Sequence, residues 1–200
     1  MPFEIRHVLT SEAAVGAPAV VENAVELLSV FLGRHFFLQW EKEEPEGWQR
    51  WLWQEGGEGP AIELMHWQEF NLWWVVLFGA DAEACEQLYD GLAELLQFED
   101  FSALSLALAG ELEIDRLRRA CLQTAPWQRD ELHTLLTRAL LSGDSALRQA
   151  AGQLVVLLKP PRMGLALKAA AEVEANPHIR AALQWALGFY EPPPPDPSRE

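Results

Sequence analysis

The residues that could do chemistry carry no catalytic signature. Five histidines, His7, His35, His66, His133 and His178, show no HExxH or other close ligand spacing, and none stands beside a cysteine, so no metal site is expected. His35 and His66 fall in strand-like runs, where they could meet across strands or sit as ordinary sheet histidines. There is no GxSxG nucleophile elbow, no phosphate-cradling GxxxxGK(S/T) and no GxGxxG, and no cofactor is implied. Gly56-Gly57-Glu58-Gly59-Pro60 is glycine-rich, but flanking carboxylates and the lack of a lysine would repel a phosphate, so it reads as a hairpin loop.

What the sequence has in excess is carboxylate and tryptophan. Glu41, Glu43, Glu44, Glu46, Glu55 and Glu58 cluster in turn-like stretches, where solvation keeps them ionised without tuning their acidity. Two readings stay open: a solvated acidic rim, and an acidic docking face for a basic partner. Seven of nine tryptophans, Trp40, Trp48, Trp51, Trp53, Trp67, Trp73 and Trp74, fall within 35 residues of the same region, and aromatics ringed by charge favour docking. The candidate partner-binding set is therefore Glu43, Glu44, Glu46, Trp48, Trp51, Trp53, Glu55 and Glu58. Trp48, Trp51 and Trp53 are expected to be partly exposed, whereas Trp73 and Trp40 are assigned to the core.

These residues need a scaffold, and the hydrophobic pattern supplies one. Val21, Val25, Leu28 and Leu32 recur at helical spacing opposite Glu22, Asn23 and Glu26, predicting a helix over 18–32, with Pro18 in its first turn and Gly33 as its stop. Four aromatic and β-branched runs follow, 35–41, 48–54, 61–67 and 72–79, each bounded by turn material, which predicts an antiparallel four-stranded meander. Side-chain alternation puts Trp51 and Trp53 on one face and Trp48, Arg50 and Leu52 on the other. LWWVVLF is apolar on both faces, so its strand should be central and covered on both sides. Asp81 is placed to cap a helix running to Leu96. Residues 98–110 fit either a short helix or a strand.

Charge and periodicity change together near residue 110. Residues 1–110 hold 19 acidic and 4 basic side chains, whereas 111–200 hold 11 of each, so the formal charge of −15 belongs entirely to the first part. Such a chain does not draw nucleic acid or an anionic membrane by its overall field. Nine arginines in the second part, among them Arg116, Arg118, Arg119 and Arg129, are balanced by carboxylates and read as braces and surface pairs.

The second part repeats. Asp144-Ser-Ala-Leu147-Arg148-Gln-Ala150 matches Asn176-Pro-His-Ile179-Arg180-Ala-Ala182, and Ile114-Asp-Arg-Leu117-Arg118-Arg-Ala120 is a weaker copy, with the Leu/Ile-Arg pairs 30 and 32 residues apart. Helices are predicted between the copies, over 128–142 and 162–175, as stacked helical hairpins require. Over about 112–190 the pattern resembles short bacterial HEAT-like repeats of the phycobilisome-lyase type. The resemblance implies that Asp144 and Asn176 cap helices and that Arg148 and Arg180 brace neighbouring repeats. Ile114 departs from that pattern at the capping position. Residues 191–200, rich in proline, read as an extended tail.

The expected fold is α+β: an acidic, Trp-rich α/β domain over 1–110 holding the meander and flanking helices, then an all-α HEAT-like array over 111–190. Glu4 and Glu12 interrupt any leader-like apolar core, and Leu72–Ala80 is far shorter than the roughly 20 residues of a membrane span. Cys85 and Cys121 read as buried thiols, and a cytoplasmic location is expected. The expected function is non-enzymatic: docking a basic protein, for example as an immunity protein that neutralises a bacterial toxin. A secretion chaperone or scaffold subunit is an alternative, as is an enzyme with a carboxylate or histidine site in a cleft between the halves.

Overall fold

Alternation begins earlier than the expected meander, at Phe3-Glu4-Ile5-Arg6-His7-Val8, and this hexapeptide is a strand. In the structure, a computed structural model that describes residues 3–45, 47–56, 59–123 and 129–190, β1 (Phe3–Val8) pairs antiparallel with β5 (Leu72–Gly79). Between them in sequence lie α1 (Ala17–Leu32), β2 (Phe36–Glu44), β3 (Trp48–Glu55) and β4 (Ala61–Trp67). The sheet is five-stranded and antiparallel, ordered β1-β5-β4-β3-β2, so the four-strand expectation is corrected by one. Six residues of mixed polarity carry a weak signal of their own, and β1 gains its hydrogen bonds from a strand far along the chain.

The expected helix appears as α1, closed at Gly33, whose φ of 63° suits a residue without a Cβ and whose N–H donates to Ser29 and Val30 carbonyls. Asp81 caps α2 (Ala82–Ala93) by accepting from the Ala84 N–H at 3.0 Å. The ambiguous stretch resolves into helix α3 (Phe101–Gly110), preceded by an antiparallel bridge from Leu9 to Phe98.

Register sets the two faces of the sheet. Trp53 opposes Ile62, which opposes Leu77, and Trp51 opposes Leu64, which opposes Val75. This face packs with Val21, Val25 and Leu28 of α1 and Leu88 and Leu92 of α2 into one buried cluster. As expected, LWWVVLF is an interior strand, with Leu72 to Leu77 buried on both faces.

The described residues form two compact units. The first holds residues up to Leu106 together with Leu122 and Gln123; the second holds Ala107–Cys121 and Arg129 onward. The second contains α5 (Arg129–Leu140), α6 (Ser145–Leu158), α7 (Gly164–Val173) and α8 (Pro177–Leu187), with α5 packed on α6, α7 on α8 and α6 on α8. A further helix, α4 (Ile114–Leu122), starts at Ile114 itself, so that residue is the first of the helix rather than its cap. The Asp144 carboxylate accepts from Ala146 N–H at 2.8 Å and the Asn176 amide oxygen from His178 N–H at 3.0 Å.

The repeated arginines share one geometry. Arg148 donates to the carbonyl of Ser142 at 2.6 Å, and Arg180 donates to the carbonyl of Glu174 at 2.8 Å, each six residues back across the helix start. Arg148 also pairs with the Glu174 carboxylate at 2.8 Å, so both arginines converge on one residue. The proline-rich tail lies outside the described residues.

Candidate functional site

Strand β2 lies at one end of the sheet order, and among the described residues no strand pairs with its outer side. The expected strand ended at Glu41, but it runs on through Lys42, Glu43 and Glu44, which oppose Arg50, Gln49 and Trp48 of β3. Pairing, not composition, holds this charged stretch extended. A register shift between Leu38 and Trp40 marks a bulge. Bulges and charges limit indiscriminate pairing at an edge strand.

The carboxylates of the candidate set are unequal. Glu43 is exposed and accepts from the Gln68 amide at 3.4 Å. Glu44 lies 3.8 Å from Arg50, and Glu55 lies 3.8 Å from Arg34. Glu46 and Glu58 lie outside the described residues. Glu41, with Phe37 at 59% and Leu38 at 47% exposure, belongs to the same edge and was not in the candidate set. The missed signal is exposed apolar side chains on an end strand, which depends on strand order and so is not local to the sequence.

The tryptophans correct the expectation. Trp51 is only 7% and Trp53 only 4% exposed, because their face of β3 is the one covered by α1 and α2. Burying an indole removes roughly 150–250 Å² from water, on the order of 4–6 kcal/mol at about 25 cal/mol per Å², far above the ~1 kcal/mol or less of an exposed ion pair. Core burial wins, and the expected partial exposure of both residues is corrected. Trp48 is half-buried, stacked on Trp67 at 4.6 Å and edge-on to Trp74 at 5.4 Å. Trp73 is buried as expected; Trp40 is half-buried, with Lys42 4.7 Å and Arg50 5.3 Å from its ring centroid, rather than a core residue.

Beneath that edge sits an ion pair that the sequence did not disclose. Arg50 reaches Glu63 of β4 at 2.5 Å, and Glu63 is buried. Burial raises the pKa of its carboxyl, opposed by the Arg50 guanidinium. The pair links β3 to β4 diagonally, since Arg50 opposes Met65 and Leu52 opposes Glu63.

The histidines do not meet. His66 accepts or donates to Gln49 at 3.0 Å and Asn71 at 3.3 Å and stacks on Trp73 at 3.7 Å, whereas His35 is exposed beside Phe37. Burial lowers the His66 pKa. Among the described residues, no three His, Cys, Asp or Glu side chains are grouped to hold a metal ion, and no helix is long and apolar enough to cross a membrane. Cys85 and Cys121 are buried, and burial pushes the Cys85 thiol up to about 11. Among the described residues, the arrangement at β2 therefore offers an unpaired backbone edge, exposed apolar side chains and carboxylates. Compared with protein-family models, curated proteins and solved structures, the sequence matches none.

Proposed function

We propose that this chain is a non-enzymatic protein-binding module that docks a basic protein partner along β2. The observation carrying this reading is the free edge strand on which exposed Phe37 and Leu38 stand beside Glu41, Glu43 and Glu44. A partner strand added there would satisfy the outer N–H and C=O groups of β2, bury the two apolar side chains and meet the carboxylates with Lys or Arg. An immunity protein neutralising a cationic toxin is one form of this activity, because the charge of −15 would speed the encounter.

The test is affinity capture from the native organism with wild type and with Glu41→Lys/Glu43→Lys, at about 50 mM and about 500 mM salt. A basic protein held at low salt, weakened at high salt and lost in the variant supports the reading. Capture that ignores both salt and charge reversal overturns it.

A further inference from the structure

Helix α1 has more apolar surface than its core contacts use. Val21, Val25 and Leu28 face the sheet, while Leu27, Val30 and Phe31 form a second stripe at i, i+3 and i+4. Val30 is 82% and Phe31 81% exposed, and Leu95, just beyond α2, is also exposed. Single exposed apolar residues are ordinary; a contiguous stripe beside a groove marks an interaction surface.

That groove lies between α1 and α2. It encloses about 670 Å³ and is walled by Leu27, Val30, Phe31 and Leu95. Gly91 makes its floor: a Cβ there would lie 2.3 Å from Cδ1 of the buried Leu28, so a larger residue requires that side chain to move. The rim carries Gln87, Asp90 and Glu94, two carboxylates and no cation.

We infer that this groove is a docking site for a cationic amphipathic helix of the partner, its apolar face against Phe31 and Leu95 and its Lys or Arg side chains toward Asp90 and Glu94. The inference rests on the preceding reading for the sign of the partner's charge. A helix fits because a groove between two helices takes anchors at i, i+3, i+4 and i+7. Charge decides against a second copy of this chain: residues 1–110 hold 19 acidic and 4 basic side chains, and a copy would bring like charge to an acidic rim.

The probe is a fluorescein-labelled Leu/Lys amphipathic peptide of about 18 residues, roughly five helical turns, titrated with the full chain. Its comparators are a scrambled peptide of the same composition and a Leu/Glu peptide. The expected result is saturable binding of the Leu/Lys helix alone, weakened about tenfold or more in Val30→Glu/Phe31→Glu, since removing central anchors costs that much. These side chains are exposed, and circular dichroism checks that the variant is folded. Glu12→Lys is expected to bind the peptide within about twofold of wild type, because exposed Glu12 lies outside both the groove and β2. Absence of binding, equal binding of the scrambled peptide, or an unchanged Val30→Glu/Phe31→Glu variant overturns the inference. So does a wild-type dimer in light scattering that this variant dissolves, since the occupant is then a second copy. Loss of native partner capture in Glu41→Lys/Glu43→Lys alongside failure of the peptide would leave the β2 reading standing and sink only the groove.

Discussion

Glu174 shows how one side chain joins two copies of a repeat. Its carboxylate accepts from Arg148 at 2.8 Å, from the Ser145 hydroxyl at 3.0 Å and from the Asn176 N–H at 2.8 Å. The Arg148 bond and the Asn176 N–H hold its pKa at about 2, below the ordinary 4.5. A depressed carboxylate contributes stability that is present above the unfolded value and lost as pH falls, so this contribution should vanish between 4.5 and about 2. His7 works in a different window. It stacks on Tyr89 at 4.1 Å, and burial lowers its pKa from 6.5 to about 4. The folded state keeps it neutral while the unfolded chain takes up a proton, so stability should fall as pH drops from 6.5 to about 4. Urea midpoints measured across pH should show both windows. His7→Phe, which keeps the ring stack, should flatten the upper one, and Glu174→Gln the lower one, with lower stability at neutral pH because Arg148 loses its charge partner. An unchanged profile in either variant would remove that residue from the account.

At the scale of elements, the meeting of α1 and α2 depends on Gly91. Gly91→Ala would place a methyl 2.3 Å from the fully buried Leu28. Overpacking costs about 1–3 kcal/mol, against the roughly 1 kcal/mol that Ala gains over Gly in helix propensity. A net loss of up to about 2 kcal/mol by urea denaturation is expected, and a gain in stability would show that the helices separate freely. Much at this scale was legible. Gly33 and Asp81 end and start helices through interactions within a few residues, so spacing alone revealed them, whereas the caps at Asp144 and Asn176 were expected from the resemblance of the repeated motif. β1 was not legible, and neither was the extension of β2 through Glu44, because each is held by a neighbouring strand rather than by its own composition.

For the whole molecule, charge is the controlling quantity. All 15 units of net negative charge arise within residues 1–110, where few cations offset them. Like-charge repulsion of this kind weakens the folded state and is screened by salt. The melting temperature at neutral pH should therefore rise between about 50 mM and about 500 mM sodium chloride. A fall would mean that pairs such as Arg50–Glu63 and Arg148–Glu174 outweigh the repulsion.

The sequence by itself determined the α+β class, the meander from β2 to β5, the helix ends at Gly33 and Asp81 and the separation of acidic from neutral halves, because each follows from local periodicity, capping chemistry or counting. Only the tertiary structure decided which face of β3 is buried. Alternation told that Trp51 and Trp53 share a face, but coverage comes from α1 and α2, which precede and follow the meander in the chain. The same holds for the exposed edge at β2 and for the convergence of Arg148 and Arg180 on Glu174. Strand order and helix contact are long-range, and no window of the sequence contains both partners.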